Sequence, residues 1–341
     1  MSDPLVATGG PHHQAALALE AAVGRVIVGQ ARAIRLATIA TFARGHVLLA
    51  GDVGVGKTTL LRALARAIGG NYARVEGTVD IMPSDLLYHT FIADDGRPRV
   101  EPTDLLEKAD SLSIFFFNEI NRARPQVHSL LLRLMAERAV SAFKKNYDFP
   151  HLQVYADRNR VEREETFELP AAARDRFLME IPVEAPQDPA VRENLIFDPR
   201  YHKTDRLLEA VGEPVLDYRQ LDAVADQIQA SIHASAAIRQ YVVRLWQAIV
   251  RPAPAGLALP GIDMERLVQG GASPRGLAFL VRAARVRAWL EGRNMLVPED
   301  VRDVFLETTA HRIFLDPIYE MRREQIVADL CAAALAHVPV P

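Results

Sequence analysis

The chain has 341 residues, 49% of them apolar, so it can bury a full hydrophobic core, and its length favours two domains. Its formal net charge of -3 gives no overall electrostatic attraction to nucleic acid or to an anionic membrane. A single cysteine, Cys331, excludes an intramolecular disulfide framework and suits a reducing compartment. Because no segment approaches the roughly 20 apolar residues of a membrane span and the N-terminus lacks a basic-then-apolar signal, we expect a soluble, cytoplasmic protein.

The order of predicted elements divides the chain into four parts. Residues 1–24 form an N-terminal tail and a helix. In residues 25–185, short apolar strands alternate with helical patterns, which predicts an α/β domain whose parallel sheet is covered by helices. Residues 186–216 are punctuated by prolines and are predicted to be a linker, and residues 217–341 are helical to the end. The predicted fold class is therefore α/β, followed by an all-α domain.

The first strand of the α/β domain leads into a phosphate-binding loop. Residues 51–58 read GDVGVGKT, a complete GxxxxGK[ST] motif, with an apolar strand before it and helical spacing after it. This context disfavours the alternative of a chance match in a glycine-containing turn. Lys57 would reach the β- and γ-phosphates, and Thr58 would ligate Mg²⁺. The sequence therefore predicts ATP or GTP binding, and the predicted binding residues of the loop are Asp52, Val53, Gly54, Val55, Gly56, Lys57, Thr58 and Thr59.

A second buried strand, residues 112–117, runs directly into Asn118 and Glu119. Glu119 is predicted to be the general base that polarises the attacking water; the alternative is a solvated glutamate at a helix start. An aspartate at position 118 would carry a negative charge towards Mg²⁺, whereas asparagine keeps the shape and loses the charge. We therefore expect weaker Mg²⁺ affinity and slow hydrolysis, and we expect Asn118→Asp to hydrolyse faster at limiting Mg²⁺.

Three further polar residues follow in the chain. Asn159 comes just after the predicted strand 152–156 and could hydrogen-bond the γ-phosphate or its water, although a turn-forming asparagine is the alternative. Arg176 precedes another strand, and Arg275 opens a helix of the second domain after Ser-Pro. Either arginine alone would more often be a surface ion-pair partner.

The ordered motifs together resemble those of the MoxR family of AAA+ ATPases over nearly the whole chain after residue 25. The matching segments are Val28-Gly29-Gln30 for the adenine-side motif, residues 76–85 before the helix-2 insert, residues 118–123 for the DEINRA signature, Asn159 for sensor 1, Asp175-Arg176-Phe177 for the LPEAxxDRF stretch and Arg275 for the sensor 2 arginine of GxSPR. The chain departs from the family pattern at Val53, Asn118, Arg158, Arg160 and Glu165. Of these departures, Asn118 bears on catalysis.

The resemblance implies a P-loop AAA+ core followed by an all-α lid, with ATP and Mg²⁺ bound between the subunits of a hexameric ring. It implies that Val28 and Gly29 face the adenine, that Lys57, Glu119, Asn159 and Arg275 serve catalysis within the subunit, that Arg176 reaches the neighbouring subunit, and that Thr58 and Asn118 hold the metal. The family works as chaperone-like remodellers or maturation factors for client proteins, commonly with a von Willebrand factor A domain partner. Residues 139–151 match a hairpin that faces a pore or substrate, and a solvated hairpin tip is the alternative.

Two competing functions stay open at the level of sequence. A nucleotide-gated scaffold would bind ATP, assemble and barely turn over because of Asn118. A nucleic-acid motor is disfavoured, since the chain has no helix-turn-helix signature, zinc module or basic domain.

Overall fold

The computed structural model describes residues 9–158 and 167–341. The chain folds into two compact units. The first unit comprises Ala15–Arg176 with Ile181–Asp222, and the second comprises residues 9–14, Phe177–Glu180 and Ala223–Pro341. No helix among the described residues is both long enough and apolar enough to cross a membrane.

Short strands alternate with helices through the first unit, as predicted, and the second unit adds two short strands and further helices. The strands are β1 (His46–Ala50), β2 (Asn71–Glu76), β3 (Tyr88–Ile92), β4 (Pro98–Pro102), β5 (Leu112–Asn118), β6 (Ala139–Ala142), β7 (Lys145–Asp148), β8 (Gln153–Arg158), β9 (Phe177–Pro182), β10 (Val268–Gly270) and β11 (Phe314–Leu315). The helices are α1 (Pro11–Gly24), α2 (Ala31–Phe42), α3 (Lys57–Ala67), α4 (Asp104–Glu107), α5 (Pro125–Glu137), α6 (Ala171–Arg174), α7 (Pro189–Phe197), α8 (Thr204–Glu209), α9 (Leu221–Ser231), α10 (Ala236–Val250), α11 (Pro274–Leu290), α12 (Pro298–Thr309) and α13 (Arg323–His337).

A five-stranded sheet organises the α/β core, with strand order β2-β5-β8-β1-β9. The pairs β2–β5, β5–β8 and β8–β1 are parallel, which confirms the predicted parallel sheet. Every residue of β5 is buried, as expected for a strand with helices on both faces of its sheet. Because parallel strands end at the same edge, the sheet gathers the carboxyl ends of β1, β2, β5 and β8 into one functional edge.

The hairpin predicted within residues 139–151 is present as β6 and β7. Phe143 and Lys144 form its two-residue tip with positive φ angles of 53° and 62°, the conformation that matches the twist of a tight hairpin. Beside the tip, the Lys145 ammonium lies 4.9 Å from the centroid of the Tyr147 ring. What this tip faces in an assembly stays a prediction.

Residues 186–216, predicted to be a linker, pack as part of the first unit. The backbone N–H of Val215 donates to the Ala67 carbonyl at 2.8 Å, and Arg25 Nε donates to the Ala210 carbonyl at 2.8 Å. Leu208 and Val211 are buried, so this proline-rich stretch carries its own apolar anchors. Apart from Phe177–Glu180, the first unit therefore continues to Asp222, and residues 186–216 belong to it rather than forming a separate linker.

The second unit is built mainly from α9 to α13, and its core includes Trp289, Phe305 and Leu330. The prediction of a helical second domain is confirmed, with the addition of a short antiparallel pair between β10 and β11. Cys331 is buried in α13, as expected for a packing residue.

Candidate functional site

The phosphate-binding loop joins the end of β1 to the start of α3, as the motif predicted. Gly54 and Gly56 have φ angles of 81° and 93°, in the left-handed region that glycine adopts without penalty, and a Cβ at either position would meet open space. A Cβ at Gly51 would lie 2.1 Å from the Val183 carbonyl oxygen, so only glycine fits there. The loop thus forms an open cradle of backbone groups at the N-terminus of α3.

The predicted adenine-side motif, residues 28–30, contacts the phosphate loop through its third residue. Gln30 Nε2 donates to the Val55 carbonyl oxygen at 2.8 Å. Its neighbours Val28 and Gly29 line a pocket together with Ile27. The structure therefore places the motif beside the phosphate loop and uses Gln30 to fix the loop's position.

Lys57 is the first residue of α3 and only 8% exposed. Its ammonium group donates to the Gly51 carbonyl at 2.7 Å and to the Asp52 carbonyl at 3.2 Å. The third partner is Asp157, whose Oδ2 lies 2.7 Å from Lys57 Nζ. A lysine ammonium has three N–H donors, so all three are engaged within the protein.

At the functional edge of the sheet, three polar side chains lie in a row on adjacent strands. Glu76 on β2 is the register partner of Asn118 on β5, and Asn118 Nδ2 donates to Glu76 Oε1. On β8, the register pairs Phe117 with Ala156, so Asp157 follows on the other side of Asn118. Asn118 therefore stands between two carboxylates, an arrangement in which an amide is tolerated better than a third acid.

Asp157 is the most deeply buried member of this row, at 1% exposure. Burial raises its pKa, and this effect is opposed by the hydrogen bond from Lys57, by a hydrogen bond from the backbone N–H of Glu119 and by the charge of Lys57. One carboxylate thus contacts the lysine of the phosphate loop and the backbone of the predicted general base at once.

Glu119 lies at the end of β5 in a strained backbone conformation. Its φ and ψ are 54° and 50°, a left-handed geometry that costs a non-glycine residue about 1 kcal/mol or more. Its side chain is 16% exposed, and Oε2 accepts a hydrogen bond from Arg122 Nη1 at 2.9 Å. A Cβ at Gly77 would lie 2.3 Å from the Glu119 carbonyl oxygen, so the neighbouring strand leaves room for this turn only because position 77 is glycine.

The side-chain oxygens near the phosphate loop suit a hard divalent cation that binds together with a nucleotide. Among the described residues, no group of three or more His, Cys, Asp or Glu side chains could hold a metal alone. Thr58 in the first turn of α3 offers a hydroxyl, and Asn118 offers an amide oxygen since its nitrogen faces Glu76. Such oxygen donors suit Mg²⁺, which usually keeps several waters and binds substrate phosphates together with a few protein oxygens.

Of the three remaining predicted site residues, the structure describes two, Arg176 and Arg275. Asn159 falls outside the described residues. Arg176 follows α6, is partly exposed, and donates from Nη1 to the Ala172 carbonyl at 2.7 Å. Arg275 is the second residue of α11, where the Ser273 hydroxyl caps the helix by accepting from the backbone N–H of Gly276 at 3.2 Å. Arg275 is exposed and belongs to the second unit.

Sequence reasoning missed Asp157, and it gave no individual role to Glu76 or to Arg122, the partner of Glu119, although both lie in the matched segments. The predicted strand stopped at residue 156, whereas β8 runs to Arg158 and so carries Asp157 to the functional edge. The sequence did contain a signal, because β2 ends at Glu76 and β8 ends one residue after Asp157. That signal can be interpreted only when the strand order is known.

Comparison with known proteins assigns the chain to a family. The model of the ATPase family associated with various cellular activities (AAA) matches residues 46–179, and the AAA lid domain model matches residues 263–330. Protein MoxR of Methylorubrum extorquens is 68% identical, with 96% of this chain and 95% of the relative covered. Protein MoxR of Paracoccus denitrificans is 62% identical over 94% of this chain and 95% of the relative.

More distant relatives agree with this assignment. Chaperone MoxR1 of Mycobacterium tuberculosis is 32% identical over 86% of this chain and 74% of the relative. A crystal structure from Cytophaga hutchinsonii has a TM-score of 0.79 at 27% identity and covers 97% of this chain and 96% of its own. With the parallel sheet, the phosphate loop and the helical lid, these matches show that the chain belongs to the MoxR family of AAA+ ATPases.

Proposed function

We propose that this protein binds ATP with Mg²⁺, hydrolyses it slowly in a hexameric ring, and uses the cycle to remodel or mature a client protein. The observation that carries the proposal is the arrangement at the functional edge: the glycine cradle, the buried Lys57 and Glu119 meet around one carboxylate, Asp157. The name chaperone, borne by the mycobacterial relative, supports a chaperone-like role.

Each residue has a defined part in the proposed reaction. Loop N–H groups and Lys57 bind the phosphates, and Thr58 and Asn118 would hold Mg²⁺, which neutralises charge on the phosphate oxygens when bound. Glu119 accepts a proton from the attacking water as the bond from water oxygen to the γ-phosphorus forms and the bond to the bridging oxygen of ADP breaks. The Glu119 carboxylate is paired with Arg122 in this structure. To act as the base, Glu119 must first be released from that ion pair.

The proposal extends to assembly and partners by family resemblance. Arg176 would reach the phosphate of a neighbouring subunit, and Asn159 and Arg275 would sense the phosphate within the subunit. A partner with a von Willebrand factor A domain would select or deliver the client. The single cysteine of the chain supports a cytoplasmic location for this activity.

The test is Mg²⁺-dependent ATP hydrolysis measured across a protein concentration series, with Glu119→Gln as the control. Turnover per subunit should rise with concentration, because Arg176 acts across an interface, and should fall roughly 10²- to 10⁴-fold in the variant as expected for loss of a general base. Nucleotide affinity of the variant should stay within about threefold of the wild type, since Gln keeps the side-chain shape. Turnover unaffected by the substitution would refute the assignment of Glu119.

A second function is favoured by one specific observation. The amide of Asn118 is engaged by Glu76, and no carboxylate stands at position 118 for the metal. A nucleotide-gated scaffold would bind ATP and assemble while hydrolysing no faster than the Glu119→Gln variant. Tight binding without variant-sensitive turnover would therefore establish the scaffold in place of the motor.

A further inference from the structure

Lys57 presents no unused donor to a phosphate in this structure. Two of its partners, the Gly51 and Asp52 carbonyls, belong to the loop itself and hold the lysine across it. The third, Asp157, is a side chain on a different strand, with its Oδ2 2.7 Å from Nζ. Of the three contacts, the one to Asp157 can be given up without reshaping the loop.

We propose that Asp157 is the counter-ion that a nucleotide phosphate displaces from Lys57, and that the released carboxylate then serves the metal in place of the acid missing at position 118. This inference rests on the proposed function, because it concerns how the same site takes up ATP and Mg²⁺. It assigns one residue to both the nucleotide-free and the nucleotide-bound state.

The burial of Asp157 makes the two events depend on each other. At 1% exposure, Asp157 would lose its buried cationic partner when Lys57 turns to phosphate. Among the described residues, the hydrogen-bond donor it would keep is the backbone N–H of Glu119. An unpaired carboxylate at such a position is strongly unfavourable, since water is not there to solvate it. A divalent cation that enters with the nucleotide removes this penalty, so metal and nucleotide should bind with strong positive coupling.

The other acid of the row is less suited to this role. The Glu76 side chain is 49% exposed, forms an ion pair with Arg74, and accepts a hydrogen bond from Asn118. Solvent screens the charge of the Glu76 carboxylate. Glu76 contacts neither Lys57 nor Glu119 in any described hydrogen bond or ion pair. Asp157 contacts both of these residues, which places it closer to the reacting phosphate.

The asparagine at position 118 fits this division of roles. With carboxylates on both neighbouring strands, an aspartate there would put three negative charges in one row across the sheet. The amide instead donates to Glu76 and leaves its oxygen for the metal or a metal-bound water. The acid has thus moved from the central strand β5 to its neighbour β8, rather than being lost.

The experiment measures the affinity of a fluorescent ATP analogue at equilibrium, once in EDTA and once in excess Mg²⁺. All proteins are full-length and carry Glu119→Gln, so that turnover does not consume the ligand. Asp157→Asn should bind the analogue on the order of tenfold tighter in EDTA, because Lys57 is already free for phosphate. The gain in affinity on adding Mg²⁺ should fall on the order of tenfold in the same variant, within the usual range of coupling between two ligands.

Two further variants make the result specific. The exchange Asn118→Asp with Asp157→Asn returns an acid to β5 and should recover the Mg²⁺ gain to within about threefold of the parent. This double variant keeps an acid in the row across the sheet, so it decides the question if Asp157→Asn alone does not fold. Glu76→Gln should retain most of the Mg²⁺ gain, since its charge is screened by solvent.

The outcomes separate this inference from the proposed function. If the parent binds no nucleotide, the proposed function fails. If the parent binds with a clear Mg²⁺ gain and Asp157→Asn changes neither affinity by more than about twofold, only the role of Asp157 is overturned. Loss of the Mg²⁺ gain in Glu76→Gln with its retention in Asp157→Asn would overturn the inference and assign the metal to Glu76.

Discussion

The position of Asn118 between two carboxylates predicts that Asn118→Asp destabilises the metal-free protein. The substitution removes the hydrogen bond from Asn118 Nδ2 to Glu76 and sets like charges side by side on adjacent strands. It also adds a charge next to Asp157, which is almost fully buried. The variant chosen to improve metal binding should therefore fold less stably when no metal is present.

The size of the effect follows from these contacts. A hydrogen bond to a charged group contributes about 1.5–3 kcal/mol, and the 49% exposure of the Glu76 side chain reduces this to about 1 kcal/mol. Repulsion from Asp157 adds about 1 kcal/mol once its pairing with Lys57 is taken into account. The sum of roughly 2 kcal/mol corresponds to a midpoint of thermal unfolding about 4–8 °C lower for a unit of this size.

The assay is thermal and denaturant unfolding in EDTA at pH 8 and at pH 5. Like-charge neighbours raise the pKa of a carboxyl group in the folded variant above its unfolded value, so the folded state takes up a proton as pH falls. The variant should therefore recover towards the wild type at pH 5. The matched control combines Asn118→Asp with Glu76→Gln, where the glutamine amide can donate to the carboxylate introduced on β5 and restore the hydrogen bond in reverse.

Two results would refute this reasoning. The first is an Asn118→Asp protein as stable as the wild type at pH 8 without metal. The second is a double variant that is no more stable than Asn118→Asp alone, because the coupling between the two positions would then be absent.

Two further predictions concern buried groups. Burial lowers the pKa of His128, whose Nε2 lies 2.7 Å from the Ile120 carbonyl and whose Nδ1 has no hydrogen-bond partner among residues 9–158 and 167–341. The free energy of unfolding should therefore fall as pH drops below about 6.5, by at most about 1.4 kcal/mol per pH unit. Denaturant unfolding between pH 7.5 and 5.5 checks this against His128→Gln, and parallel pH profiles for the two proteins would contradict it. Burial raises the pKa of Cys331 to about 12. Its thiol should therefore resist iodoacetamide at pH 8 in the native protein and react in denaturant, as measured by mass spectrometry. Rapid labelling of the native protein would contradict this prediction and show that α13 opens.

The sequence by itself determined the fold class and the position of the phosphate loop. A phosphate loop is defined by local requirements, namely glycines where φ is positive and a lysine at the helix start, and these can be read from eight consecutive residues. The same holds for β5, whose buried run is apolar except for Ser113 and leads into Asn118 and Glu119. The family resemblance added the roles of distant residues such as Arg176 and Arg275, which stay predictions.

Local patterns failed where the outcome depended on packing. The proline-rich stretch 186–216 looked like a linker, but its buried Leu208 and Val211 and its hydrogen bonds to the end of α3 make it part of the first unit. Whether such a segment packs against the domain depends on the surfaces of other elements. The pattern of residues within the segment does not reveal that packing.

Only the tertiary structure decided what surrounds Asn118. Glu76, Asn118 and Asp157 are separated by about forty residues each along the chain, and they meet because β5 lies between β2 and β8 in the sheet. Strand order arises from the long-range pairing of backbones, so a sequence scan sees an acid missing at position 118 and does not see one supplied by the neighbouring strand. The physical reason is that charge acts through space, and the neighbours that set the electrostatics of this site are neighbours only in the folded sheet.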